Sequence, residues 1–171
     1  MERPREDEYA PFYARYVALV PETDILAVLE RQADEIRRLA ASVPAERERH
    51  RYAEGKWSVR EVLGHLVDGE RVFGYRAFCI SRGERAALPS FDENQYVEKA
   101  RCDAIPLREL ADELALVRRS NLVVLRRLEP REWDNVGTAS GKTISVRALA
   151  WVVAGHPRHH VEILRERYGL A

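Results

Sequence analysis

Long apolar runs are missing from this sequence: no uncharged stretch approaches the ~20 residues that a membrane span requires. Met1 to Glu8 is charged rather than apolar, so there is no signal-peptide pattern, and a cytoplasmic protein without a membrane partner is expected. Cysteine is scarce: Cys79 and Cys102 stand far apart with no CxxC unit, which excludes a disulfide framework and fits two reduced thiols. Lysine is scarce too, being confined to Lys56, Lys99 and Lys142, so the positive charge is almost all arginine, a residue suited to bidentate ion pairs. Neither sign of charge is in excess, with 28 basic and 28 acidic residues, so no global field draws nucleic acid or an anionic surface, and no nucleic-acid partner is expected. GxGxxG, GxxxxGK[ST] and GxSxG are all absent, which leaves nucleotide cofactors and α/β-hydrolase chemistry without support. No internal repeat or low-complexity tract occurs, which excludes a solenoid.

What is present reads as helices. Residues 1–22 form an aromatic-rich N-terminal arm (Tyr9, Phe12, Tyr13, Tyr16) expected to cover a flank of the domain that follows, 23–171. A first long helix is expected from an N-cap at Thr23, its stripe Ile25, Leu29, Ala33, Ile36 and Leu39 ending before Pro44. Ser58 and Glu61 form a capping box, and Val59, Val62, Leu66, Phe73, Ala77 and Ile80 carry a second stripe toward Gly83, with Trp57 placed to staple its start. From Arg85 to Ile105 the periodicity dissolves into a long polar connection containing LPSFDENQY. A third helix opens with Pro106 at its first position and runs on Leu107, Leu110, Leu114, Val117, Asn121, Val124 and Leu128 to Pro130. Residues 135–144, with Gly137 and Gly141, read as a hairpin-like turn, and Ser145 caps a last helix reaching Tyr168. Four long helices without a sheet predict an all-α four-helix bundle with one core.

On the last helix Val146, Leu149, Val153, His156, His160 and Ile163 follow steps of three and four, so both histidines face the core one turn apart. Such a pair can chelate one cation, and a shared ion is a reason to bury two imidazoles side by side. Spacing alone equally allows a pair hydrogen-bonded to helix three around Asn121 or to water. His65 lies at the edge of the second stripe, His159 one residue off the inward line at the rim, and His50 in an Arg-rich, solvated connection. His156 is followed by Pro157 and not by the glutamate of HExxH, so this is not a zincin; the proline should bend the helix between the two histidines.

KWSVREVLGHLVDGERVF at 56–73, FDENQYV at 91–97 and TASGKTISVRALAWVVAGHPRHHVEIL at 138–164 together resemble the DinB/YfiT-like superfamily, over a span from about Pro11 to Leu164. The resemblance implies a four-helix bundle whose divalent metal is held by one histidine of the second helix and two of the last, which fall here on His65, His156 and His160. Relatives often carry an acidic residue where this chain has Pro157. Three imidazoles leave the ion open positions and suit zinc, nickel, iron and copper alike, with zinc or nickel expected before iron. The resemblance further implies a metal-dependent enzyme with a small-molecule substrate, foremost a transferase that activates a low-molecular-weight thiol as cosubstrate. The alternatives are a YfiT-like hydrolase using a metal-activated water, or a non-catalytic metal or small-ligand carrier in stress. Asp92, Glu93 and Asn94 are candidate substrate contacts. Glu70, one turn beyond His65, is a candidate base alongside His159, although an ion pair with Arg71 or Arg76 is its commoner fate. A homodimer is expected, to which the arm, Trp133 and Trp151 could contribute buried area.

Overall fold

The computed structural model describes residues 2–170. The N-terminal arm holds a short helix α1 (Ala14–Ala18), followed by α2 (Ile25–Ser42), α3 (Val59–Ser81), α4 (Glu93–Ala100), α5 (Leu107–Leu125), strands β1 (Val136–Ala139) and β2 (Lys142–Ser145), and α6 (Val146–Tyr168). The long helices α2, α3, α5 and α6 form the four-helix bundle. Both α2 and α3 pack against α5 and α6 rather than principally against each other, so these two helices, consecutive in the bundle, are separated in space.

The helix starts follow local chemistry. Ser58 Oγ accepts the Glu61 N–H at 3.1 Å while the Ser58 N–H donates to Glu61 Oε2 at 2.8 Å, closing the expected box. Ser145 Oγ accepts from the Ala148 N–H. The first cap is Asp24, one residue beyond Thr23, because its carboxylate reaches the Ala27 N–H at 3.1 Å; Pro106 likewise sits at the cap and not inside α5. Two expectations are corrected by local geometry. The connection 85–105 contains a helix, α4, capped by Asp92 through the Gln95 N–H, and too short to display a hydrophobic period. The turn at 135–144 is a true two-stranded antiparallel hairpin, with Ser140 at φ 53° and Gly141 at φ 70°, the pair of positive angles that a tight two-residue turn requires.

The core is two apolar clusters, one built around Leu29, Phe73, Leu122 and Trp151, the other around Ile36, Val62, Leu110 and Leu164. Between them every bundle helix contributes buried polar residues: Gln32 from α2, His65 and Glu70 from α3, Arg118 from α5 and His156 from α6. Arg118 corrects the third stripe. The inward face of α5 runs through Arg118, Leu122 and Leu125, whereas Val117 and Val124 are only half-buried, since a paired arginine can occupy a position that hydrophobicity alone assigns to valine. Trp133 and Trp151 are interior, leaving any interface between copies to other residues. The arm does more than cover a flank: Tyr16, Val17 and Val20 enter the core, and Glu8 is tied to Ser145 and Arg147 at the start of α6. Cys79 and Cys102 are free, and burial pushes the Cys102 thiol up to about 11.

Candidate metal centre

Residue 65 lies two turns into α3 and residues 156 and 160 on one face of α6, helices packed against each other. Their rings form a triangle with centroids 4.8 Å apart along each side. The Nε2 atoms of His65 and His156 are 2.9 Å apart, and the three prospective ligand atoms lie within 4.8 Å of one another. Nitrogens bound to one zinc-sized ion at ~2.1 Å stand about 3 to 3.5 Å from each other, so the cluster is close to a coordinating geometry.

Two close approaches fix the rings. A Cβ on Gly69 would lie 2.7 Å from His156 Cε1 and 2.9 Å from its Nδ1, so only a glycine on α3 leaves room for that ring. A Cβ on Gly155 would meet the Tyr16 carbonyl oxygen at 2.0 Å, so the same economy on α6 lets α1 lie against it and bring the Tyr16 ring to 5.4 Å from that of His156. Trp57 closes the other side, 4.8 Å from the His65 ring.

Burial pulls the His65 imidazole down to about 4 and His160 to about 3, the latter helped by His65, His159 and Arg15. His156 lies well below its ordinary value, through burial first and then the neighbouring histidines. All three are therefore neutral bases near neutral pH, the form in which imidazole binds a cation. A donor set of three neutral rings with no acid among them fits a divalent ion, since a single hydrogen bond between His65 and His156 cannot satisfy three converging lone pairs.

Pro157 does not interrupt α6. The Val153 carbonyl that a proline cannot serve accepts instead from Arg118 Nη2 at 3.2 Å, and the next one, Ala154, from Gln32 Nε2 at 2.8 Å. Arg118 also donates to both Glu70 oxygens, at 2.8 and 2.7 Å, and Asn121 donates to Glu70 Oε1 at 2.9 Å. Glu70 is thus held by α5, not by Arg71 or Arg76, and it is not among the residues that line the pocket. Asn121 serves Glu70, not the histidines.

The triad opens on a cavity of about 450 Å³ walled by the aromatic residues Tyr13, Tyr16, Trp57, Phe73 and Phe91. His159 stands at its rim, partly exposed, 5.2 Å from the His160 ring, and burial lowers its pKa. Of the three candidates on the connection, Glu93 lines the cavity, Asp92 is spent as a helix cap, and Asn94 is exposed outside the lining; His50 is exposed, as expected. Sequence reasoning missed Arg15, Arg76 and Lys142, which also line it. The signal for Arg76 was available: His65, Gly69, Phe73 and Arg76 follow steps of four, four and three on one face of α3.

Fold and site together define a class of small helical bundles in which histidines from two helices converge at one pocket in a geometry that could hold a cation. The chain belongs to the DinB superfamily, which residues 28–164 match. Its fold is that of YfiT from Bacillus subtilis, described as a probable metal-dependent hydrolase with an unusual four-helix bundle topology: the TM-score is 0.77 at 18% identity, over 99% of this chain and 95% of that one. A mycothiol-dependent maleylpyruvate isomerase is similar with a TM-score of 0.66 at 15% identity, over 84% of this chain and 60% of that one. No curated protein matches the chain in sequence. Among the described residues no helix is long and apolar enough to cross a membrane.

Proposed function

We propose that the protein is a metal-dependent enzyme acting on a small molecule, with His65, His156 and His160 as the ligands of one divalent cation, zinc or nickel before iron. The observation that carries this reading is the convergence of three neutral imidazoles on the wall of an open, aromatic-lined cavity. A cation held there would act as a Lewis acid, favouring release of the proton from a thiol or lowering the pKa of a water toward neutral pH.

Transfer of a low-molecular-weight thiol to an electrophile is the reaction this chain suits best. Hydrolysis by an activated water ordinarily recruits a carboxylate as base, and here Glu70 is committed to Arg118 and Asn121 while Glu93 is the one acid of the lining. A thiol needs no such base. The aromatic walls would seat the electrophile and exclude water, and His159 at the rim is placed to pass a proton to solvent. Hydrolysis is the second reading, favoured by the likeness to YfiT along nearly the whole of both chains.

Elemental analysis of untagged protein tests the metal: a stoichiometric ion lost in His156→Ala is expected, and its absence from the wild type sinks both readings. Incubation with glutathione, mycothiol or bacillithiol and a panel of electrophiles, against amides and esters without thiol, then separates transferase from hydrolase. A bound ion with no turnover in either assay would make the protein a carrier.

A further inference from the structure

Two arginines are fully buried among the described residues. Arg118 faces the Glu70 carboxylate at 2.7 Å. Arg76, 2% exposed, has no carboxylate within ion-pair distance among the described residues; its recorded partners are neutral oxygens, the Pro89 carbonyl at 2.7 Å, Ser140 Oγ at 2.9 Å and the Tyr13 hydroxyl at 3.5 Å. Neutral acceptors satisfy protons but do not cancel a charge, and an uncompensated buried cation costs several kcal/mol. A fold keeps such a group where something else supplies the negative charge.

Arg76 lines the cavity that the three histidines line. Phe73 stands between, its ring 5.6 Å from that of His156 and 5.8 Å from Arg76 Cζ, with the Phe91 ring 5.9 Å from the same Cζ and 6.5 Å from that of Phe73. Lys142, beside the hairpin turn, and Arg15, stacked at 4.3 Å over Phe12, add two more cations to the lining without an acidic partner among the described residues, against Glu93 alone. The pocket therefore runs from neutral metal-ligating bases, past aromatic rings, to an unanswered positive charge.

We propose that Arg76 anchors a carboxylate of the substrate, so that the protein acts on small organic acids. The carboxylate docks on the guanidinium, an apolar stretch lies along Phe73, Phe91 and Tyr13, and the reacting group faces the histidines. With both Nη2 protons taken by Pro89 and Ser140, Nε and Nη1 remain as donors, enough to hold a single carboxylate beside the charge but too few to enclose a phosphate. This assignment takes the pocket to be the substrate site, as proposed above, but does not depend on the ion.

The probe is 3-phenylpropionate, compared with its neutral amide and with 3-phenylpropyl phosphate by calorimetry. The titrations use protein as purified and again after chelator dialysis, so that binding of the acid to an ion is separated from binding to Arg76. The acid should bind the dialysed protein at least about tenfold more tightly than the amide, the worth of one charge-assisted hydrogen bond. Arg76→Gln should abolish that preference while metal content by elemental analysis stays unchanged, and Lys142→Gln, at an exposed position, should reduce it by a smaller factor without affecting the fold. Equal binding of acid and amide by the wild type overturns the proposal even if Arg76→Gln fails to fold. Retention of the preference in a folded Arg76→Gln overturns it as well, as does tighter binding of the phosphate. Wild-type protein that carries no ion as purified and still prefers the acid would break the metal reading and leave this one standing.

Discussion

Two polar clusters interrupt the core at the same level of the bundle, and they are built on opposite terms. Around Arg118 every charge has an answer: Glu70 neutralises it, Asn121 supports Glu70, and Gln32, Leu29 and Val153 take up the remaining guanidinium protons. Among the described residues, three bases converge around His156 with no acid, and Arg76, which lines the same cavity, has no acid either. The first arrangement is closed and needs nothing from outside; the second is complete only with a ligand. Buried polar groups thus divide by whether the chain supplies their partners, and that criterion separates structural Glu70 from the pocket residues although it lies between His65 and Arg76 on α3.

The largest effect should come from opening the closed cluster. Arg118→Met leaves Glu70 as an unpaired buried carboxylate and the Val153 carbonyl without a donor, and should cost about 3–5 kcal/mol in urea unfolding. Adding Glu70→Leu should recover part of that loss; a single variant within experimental error of wild type would erase the contrast between the clusters. Acid acts next, on the open cluster. The folded imidazoles titrate at about 4 in His65 and about 3 in His160 against an ordinary 6.5. Below pH 6.5 the unfolded chain takes up protons that the native state refuses, so stability of metal-free protein should fall progressively from there to about pH 3, read as a declining melting temperature. A flat profile across that range would mean the rings are not buried as neutral bases.

Gly69→Ala sharpens the comparison without touching a ligand. The new methyl presses on His156, so about 1–3 kcal/mol of stability should be lost, and the affinity for added zinc should drop while His65 and His160 remain. Unchanged zinc binding would show that the ring has room to shift. The smallest effect belongs to the surface pair of Glu22 and Arg158, where hydrogen bonds from the guanidinium lower the Glu22 carboxyl to about 2. That stability is present above pH 4.5 and lost as pH falls toward 2. Both groups are about a third exposed and screened, so Glu22→Gln should cost under about 1 kcal/mol and flatten the acid limb only slightly.

Much of the bundle could be read from the chain because its signals are local. The capping box at Ser58 and Glu61, the cap at Ser145 and the stripe from Val59 to Ile80 each depend on residues within a few turns of each other. The reading of α5 slipped where that rule fails: Arg118 is tolerated on the inward face only because Glu70, 48 residues away in sequence, meets it. The helix α4 was hidden by its brevity, and the continuity of α6 through Pro157 by donors from two other helices.

The sequence by itself determined most of the residues that face inward on α2, α3 and α6 and, with the superfamily pattern, that His65 belongs with His156 and His160. Periodicity and caps act over one or two turns, so their record survives in the linear order. Tertiary structure alone decided which buried polar groups find partners inside the fold. It tied Glu70 to Arg118, brought Tyr16 of the arm against His156, and left Arg76 without an acid among the described residues. Those outcomes depend on distances between helices that no local period encodes.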